Sequence, residues 1–269
     1  MEWELDDMQF ECKNDFGTSC LFSKPVTYEE NYIKKSLEHL TPIFKMPKLQ
    51  VNFLTLTNME ERDAFFTESR IKRDLDGLLP DVPLHVKQVH FFGYDMDNVI
   101  RFLSAMKPGY LETISLEGNQ PLKFTRENFE AIFKTDQFKQ AKEVSIHRNV
   151  IFSVEDLVNF SHLKRFSCAL ETIMEPKKIL RILDIVSTFE EFKSCDMSFS
   201  TQMYRFPYIE KFAEAVGVEI PDGPQETLTF CYQRPESNED LEFEIRNAGF
   251  RCYIEIYVYS NESHESLIL

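Results

Sequence analysis

Along this chain a six-residue pattern recurs in which positions one, four and six are apolar. It appears as Val51, Leu54 and Leu56, then as Val86, Val89 and Phe91, then as Leu111, Ile114 and Leu116. It returns as Ala141, Val144 and Ile146, as Leu163, Phe166 and Cys168, and in weaker form as Phe189, Phe192 and Ser194. Each hexamer predicts a short strand, and segments of helical period lie between them. A strand and a crossover element per unit is how a repeat array reads. The predicted fold class is α/β: a divergent leucine-rich-repeat-like solenoid with a mostly parallel sheet and helices on the outer face. Each interval supplies the dozen or more residues that a parallel connection needs. The uneven intervals and the lack of an Asn at each hexamer's end make the array divergent.

The intervening segments have their own signals. Residues 27–44 read as a helix behind a Thr27–Glu30 capping box. A helical pattern runs through 59–79, around Phe65, Phe66, Ile71 and Leu75. Asp95 opens a helix through Val99, Phe102, Leu103 and Met106, closed by Pro108–Gly109. Thr125 to Phe138 reads as one helix. Ser153 with Asp156 caps a short one. Glu175 to Val186 places Ile179, Leu180, Leu183 and Val186 on one face. A last helix of the array runs from Pro207 to Val216, with Gly217 just past its end.

The two ends differ from the middle. Residues 2–23 alternate in part, which predicts a strand pair turning at Asn14–Gly17. Near the other end Leu228, Phe230 and Tyr232 alternate. Ser237 and Asp240 predict a helix through Leu241, Ile245 and Ala248, closed by Gly249. Cys252, Ile254, Ile256 and Val258 alternate as a strand. The expected organisation is an N-terminal cap over 1–48, the array over 49–225, a C-terminal cap over 226–260 and a disordered tail over 261–269.

Composition narrows the partners. The 269 residues are 43% apolar and 28% charged, ordinary for a globular chain, with a net charge of −15. That charge argues against nucleic acid, whose phosphates require Lys and Arg, and against an anionic membrane surface. It suits a basic protein partner. With 25 Phe the chain can fill a wide, irregular core. The six Cys form no C-x-x-C pair, so they read as reduced and buried in a cytoplasmic or nuclear compartment. No signal peptide and no transmembrane stretch is predicted.

Motifs for catalysis are missing: no G-x-S-x-G, no P-loop, no H-E-x-x-H. The chain is expected to be no enzyme, with no metal and no cofactor. The acidic run Glu236, Glu239, Asp240, Glu242 and Glu244 lacks calcium-loop spacing and reads as a solvated face.

What remains is the strand surface. With positions one, four and six inward, position five faces out on the concave side, as does the residue after the hexamer. Position five is Thr55, His90, Ser115, Ser145, Ser167 and Lys193. The following residue is Thr57, Phe92, Glu117, His147, Ala169 and Cys195. The predicted partner-binding residues are His90, Phe92, Ser115, Glu117, Ser145, His147, Ser167 and Lys193.

From His85 to Phe199 the chain also resembles the FTH domain of nematode F-box proteins. The carrying stretches are VKQVHFFGYDMDNVIRFLSAMKPGYLETISL, FEAIFKTDQFKQAKEVSI and FSHLKRFSCAL, with KMPKLQVNFLTL upstream. The resemblance implies recognition of a target protein, as the substrate-recognition part of an SCF-type ubiquitin ligase receptor. Residues 1–48 show no Leu-Pro opening and no three short apolar helices. A Skp-type adaptor is therefore expected as partner only with an F-box outside this chain. The alternative is an F-box-independent adaptor or inhibitor of a regulatory or toxic protein.

Overall fold

Positions one and four of each hexamer are three residues apart, so plain strand alternation cannot turn both inward. The chain solves this with a bent entry. The Lys164 and Arg165 amides, at positions two and three, both donate to the Lys142 carbonyl, at 2.8 and 3.2 Å. One unit later the Lys193 and Ser194 amides converge in the same way on the Lys164 carbonyl, at 2.8 and 3.2 Å. The Glu112 amide donates to the Lys87 carbonyl at 2.8 Å. At these entries position one lies before regular pairing begins and turns inward: Leu111 and Leu163 are fully buried. In the first two hexamers position one lies inside the ladder, where Val51 pairs with Val86 and both are buried. Regular alternation then carries positions four and six to the same side.

The computed structural model describes residues 10–13, 19–21, 49–57, 83–92, 96–117, 126–146, 150–173, 175, 177–201, 208–221, 223, 225–234, 237 and 239–260. The turn expected at 14–17, the helix at 27–44, the helical pattern at 59–79, His147 and the tail lie outside them. The chain forms two compact units, Met1–Ala141 and Lys142–Leu269.

The first unit holds β1 (Phe10–Lys13), β2 (Ser19–Leu21), β3 (Gln50–Thr57), β4 (His85–Phe92), α1 (Met96–Ser104), β5 (Thr113–Glu117), α2 (Arg126–Phe133) and α3 (Asp136–Gln140). Its strands run β2-β1-β3-β4-β5. β1 pairs antiparallel with both β2 and β3. β3, β4 and β5 are parallel and align the hexamers in register: Leu54 with Val89 with Ile114, and Leu56 with Phe91 with Leu116. The helix α1 buries Val99, Phe102 and Leu103, and Phe102 meets Phe91 of β4 at 6.2 Å between ring centroids. The single helix expected over 125–138 is two. Thr135 interrupts it with extended backbone, accepts the Phe138 amide on its hydroxyl and caps α3. The helix α1 ends at Ser104, and Pro108–Gly109 belongs to the turn before β5.

The second unit holds β6 (Glu143–Ile146), β7 (Ile151–Phe152), a 3-10 helix (Val154–Phe160), β8 (Arg165–Leu170), α4 (Lys177–Ser187), β9 (Ser194–Ser200), α5 (Tyr208–Val216), β10 (Thr227–Gln233), β11 (Glu239–Asn247) and β12 (Arg251–Ser260). Its strands run β6-β8-β9-β12-β11-β10, with β7 beside β8. β6, β8 and β9 are parallel; β12, β11 and β10 follow antiparallel. The fold is thus mixed α/β with an open sheet, parallel through the hexamers and antiparallel beyond them.

Phe is the core's main filler. Phe166 stacks on Phe160 at 5.0 Å and meets Phe189 and Phe192 at 6.3 and 6.2 Å. Phe199 meets Tyr208 and Phe212 of α5 at 5.7 and 6.4 Å. The Asp156 carboxylate accepts the Ser153 amide and hydroxyl at 2.9 and 2.8 Å, the cap expected of the 3-10 helix. Gly217 closes α5 with φ 72°, while the Val218 amide reaches back to the Ala213 carbonyl at 2.9 Å.

Two expectations are corrected here. The sixth hexamer is displaced by three residues: Phe166 pairs with Cys195 and Cys168 with Met197. Its inward positions are Phe192, Cys195 and Met197, all buried. The Phe189–Phe192 spacing copies the Phe192–Cys195 spacing, which is why the sequence offers both registers. The helix expected through Leu241 and Ala248 is β11. Leu241, Phe243 and Ile245 alternate inward and are buried, so period two prevails over the Leu241, Ile245, Ala248 spacing. Gly249, at φ 73°, sits in the turn between β11 and β12.

Arg234 locks this end of the second unit. Its buried guanidinium donates to the Phe189 carbonyl, to the Ser187 carbonyl at 3.3 Å and to Glu239 at 2.7 Å. It thereby occupies a carbonyl that α4 leaves open at its C-terminus.

Candidate functional site

With one side of the strands in each unit closed by apolar packing, position five lies on the other side. In the first unit Thr55, His90 and Ser115 stand in register across β3, β4 and β5, with Phe92 beside Glu117 two residues on. His90 Nε2 and Glu117 Oε2 are 3.1 Å apart, a diagonal reach between neighbouring strands. The Phe92 ring meets His90 edge-on at 6.5 Å. Four expected residues, His90, Phe92, Ser115 and Glu117, therefore share one half-buried patch.

In the second unit Ser145 and Ser167 are adjacent, their hydroxyls 2.7 Å apart. The next residue in this row is Asp196, paired with Ser167. Lys193 is not in the row: it precedes β9 at position two of the displaced hexamer, exposed. Cys195, expected outward, is buried at 1%. Ala169 is also buried, with β7 alongside through the Ile151–Ala169 pair.

Beyond Asp196 the row continues onto strands that carry no hexamer. Asp196 pairs with Glu255, Glu255 with Glu244, and Glu244 with Thr229. The next row holds Ser194, Tyr257, Glu242 and Cys231, and the row on the other side holds Ser198, Tyr253, Arg246 and Thr227. Three carboxylates directly opposite one another repel. Among the described residues Arg246 answers them, 3.3 Å from Glu255 and 5.6 Å from the centre of the Tyr253 ring. Partial desolvation and the facing Glu255 push the Asp196 carboxyl above its ordinary value. The Tyr257 hydroxyl donates to Glu255, and that bond, with desolvation and the surrounding carboxylates, holds the phenol well above its usual range.

Sequence reasoning missed Asp196, Glu255, Tyr253 and Tyr257 as site residues and read Glu244 as part of a solvated acidic face. The displaced hexamer FKSCDM would have found Asp196, and the alternation LEFEI would have placed Glu242 and Glu244 on a strand.

The thiols are consistent with a packed core. Cys168, Cys195 and Cys252 are free and buried, and burial raises all three, Cys252 to about 12. Cys231, expected to be buried, is free and exposed because it points to the outer face of β10. Among the described residues no three His, Cys, Asp or Glu side chains converge to hold a metal ion. Among them no helix is long and apolar enough to cross a membrane.

The hexamer-bearing region, mixed α/β with an open sheet, defines the class. The chain belongs to the FTH domain family, whose model matches residues 75–212. No curated protein matches the chain.

Proposed function

We propose that this chain is a protein-recognition domain and the substrate-recognising part of an F-box ubiquitin ligase receptor, its hexamers forming a divergent leucine-rich-repeat-like array. Membership of the FTH family supports the reading, because that family is associated with F-box proteins. The observation that carries it is the strand face. In each unit an apolar side is packed, while the opposite side presents rows of polar side chains: Thr55, His90 and Ser115 in one, Ser145, Ser167 and Asp196 in the other. Such a face gives a protein partner hydrogen-bond donors and acceptors without requiring the domain to repack.

Ser167→Arg tests the face. The substitution sets a long cation over the Ser145–Ser167 pair without touching the core. Affinity capture with mass spectrometry is expected to lose the partners bound by the unsubstituted chain, at an unchanged melting temperature. Undiminished capture contradicts the face. Reconstitution of the full gene product with a Skp-type adaptor tests the ligase role. Stable association supports it, and no association favours an adaptor or inhibitor that works outside ubiquitin transfer.

A further inference from the structure

The outermost strand of the second unit, β10, has one strand neighbour among the described residues, β11. The Asn247 amide donates to the Glu226 carbonyl at 2.8 Å. In an antiparallel ladder bonded pairs alternate, so residues 228, 230 and 232 bond to β11. The amides and carbonyls of Thr227, Thr229, Cys231 and Gln233 therefore point away from the sheet. The Ala248 amide, bonded to the Arg251 carbonyl at 2.8 Å, sets the complementary alternation on β11.

Natural edges are commonly blunted by Lys, Pro, a bulge or an inward charge. β10, TLTFCYQ, carries none: it has no charge and no Pro, and its seven pairs with β11 run without a register shift. Its two faces differ. Leu228 and Phe230 face the core, with Tyr232 half-buried on the same side. Thr229 and Cys231 are exposed and small, and they stand in register with Glu244 and Glu242 on β11. Neither glutamate has an ion-pair partner among the described residues. A strand added outside β10 would lie about 10 Å from β11, two strand spacings. A Lys or Arg on it can lie across the small Thr229 and Cys231 side chains to reach Glu242 and Glu244.

We infer that β10 is a β-augmentation site for an extended partner segment that alternates basic and apolar residues. Its backbone completes the outward hydrogen bonds of Thr227, Thr229, Cys231 and Gln233. Its basic side chains meet the glutamates, and its apolar ones extend the Leu228, Phe230 and Tyr232 row. The inference rests on the recognition reading above and gives it a partner chemistry.

The probe is a fluorescent heptapeptide alternating Lys and Val, compared with one of the same composition whose Lys residues are in a block. Anisotropy titration of the full chain is expected to show the alternating peptide binding at least about tenfold more tightly, since edge pairing as well as charge selects it. Thr229→Pro removes an outward amide without breaking a bond to β11; it is expected to abolish that preference with the melting temperature retained. Glu244→Lys is expected to weaken the alternating peptide by about tenfold. Alkylation of Cys231, followed by mass spectrometry, is expected to slow when the peptide is bound. Equal binding of the two peptides, or full binding to Thr229→Pro, overturns the inference. So does sedimentation showing a dimer that Thr229→Pro dissociates, which gives the edge to a second copy. These failures leave the recognition reading standing if Ser167→Arg still loses partner capture.

Discussion

The hexamer strands and the antiparallel strands β10 to β12 use the same alternation to opposite ends. In the second unit β6 and β8 put Ser145 and Ser167 on the outer face, small hydroxyls that bond to each other. β12 and β11 put Glu255, Glu244 and Glu242 there, together with Tyr253 and Tyr257. Asp196 on β9 is the boundary between them. The inner sides are alike: Phe166, Cys195, Ile256 and Phe243 are all buried. The difference teaches that the repeat sets the core, while the outer face is free to carry neutral chemistry in one stretch and concentrated charge in the next.

That comparison breaks first at the core. Phe166→Ala removes the ring that meets Phe160, Phe189 and Phe192 and is expected to cost about 3–5 kcal/mol, read by urea unfolding. A loss below about 1 kcal/mol would mean that the hexamer's fourth position is not a packing site. Arg234→Met comes next, at about 2–4 kcal/mol, because it leaves the Phe189 and Ser187 carbonyls buried without their donor. If that variant keeps full stability, Arg234 does not lock the antiparallel end.

The outer face should respond differently. Ser167→Arg is expected to change stability by less than about 0.5 kcal/mol while removing partner capture.

A small effect confined to stability is expected at Asp196→Asn. In the fold the Asp196 carboxyl titrates higher than in the unfolded chain, so between the two values the folded protein holds more protons. Its contribution to stability is therefore present below the unfolded value and is lost as pH rises through the folded one. At pH 7 the asparagine variant should be the more stable, by less than about 1 kcal/mol because the site is exposed and screened. Its advantage should vanish in acid below the carboxylate range and shrink in high salt. A variant less stable than the parent at pH 7 would show that the carboxylate row is not repulsive.

Much of the inner face was legible because it obeys local rules. Leu54, Val89, Ile114, Val144 and Phe166 announce themselves by spacing, and α4 by its apolar stripe. Three features defeated that reading. Phe189, Phe192 and Cys195 are evenly spaced, so the sixth hexamer fits two registers and only pairing with β8 chooses. Leu241, Ile245 and Ala248 fit a helix as well as a strand, and two neighbouring strands decide it. The row Asp196, Glu255, Glu244 joins residues from three strands, and no window of sequence contains it. The outer face of the hexamers could be read one strand at a time; the charged face existed only after pairing.

Carbodiimide footprinting of the carboxylates, with and without a captured partner, tests the account most directly. Protection concentrated at Asp196, Glu242, Glu244 and Glu255 is the expected result. Protection instead at Asp184, Glu210 and Glu214, on the helices α4 and α5, with the strand carboxylates still reactive, would contradict it.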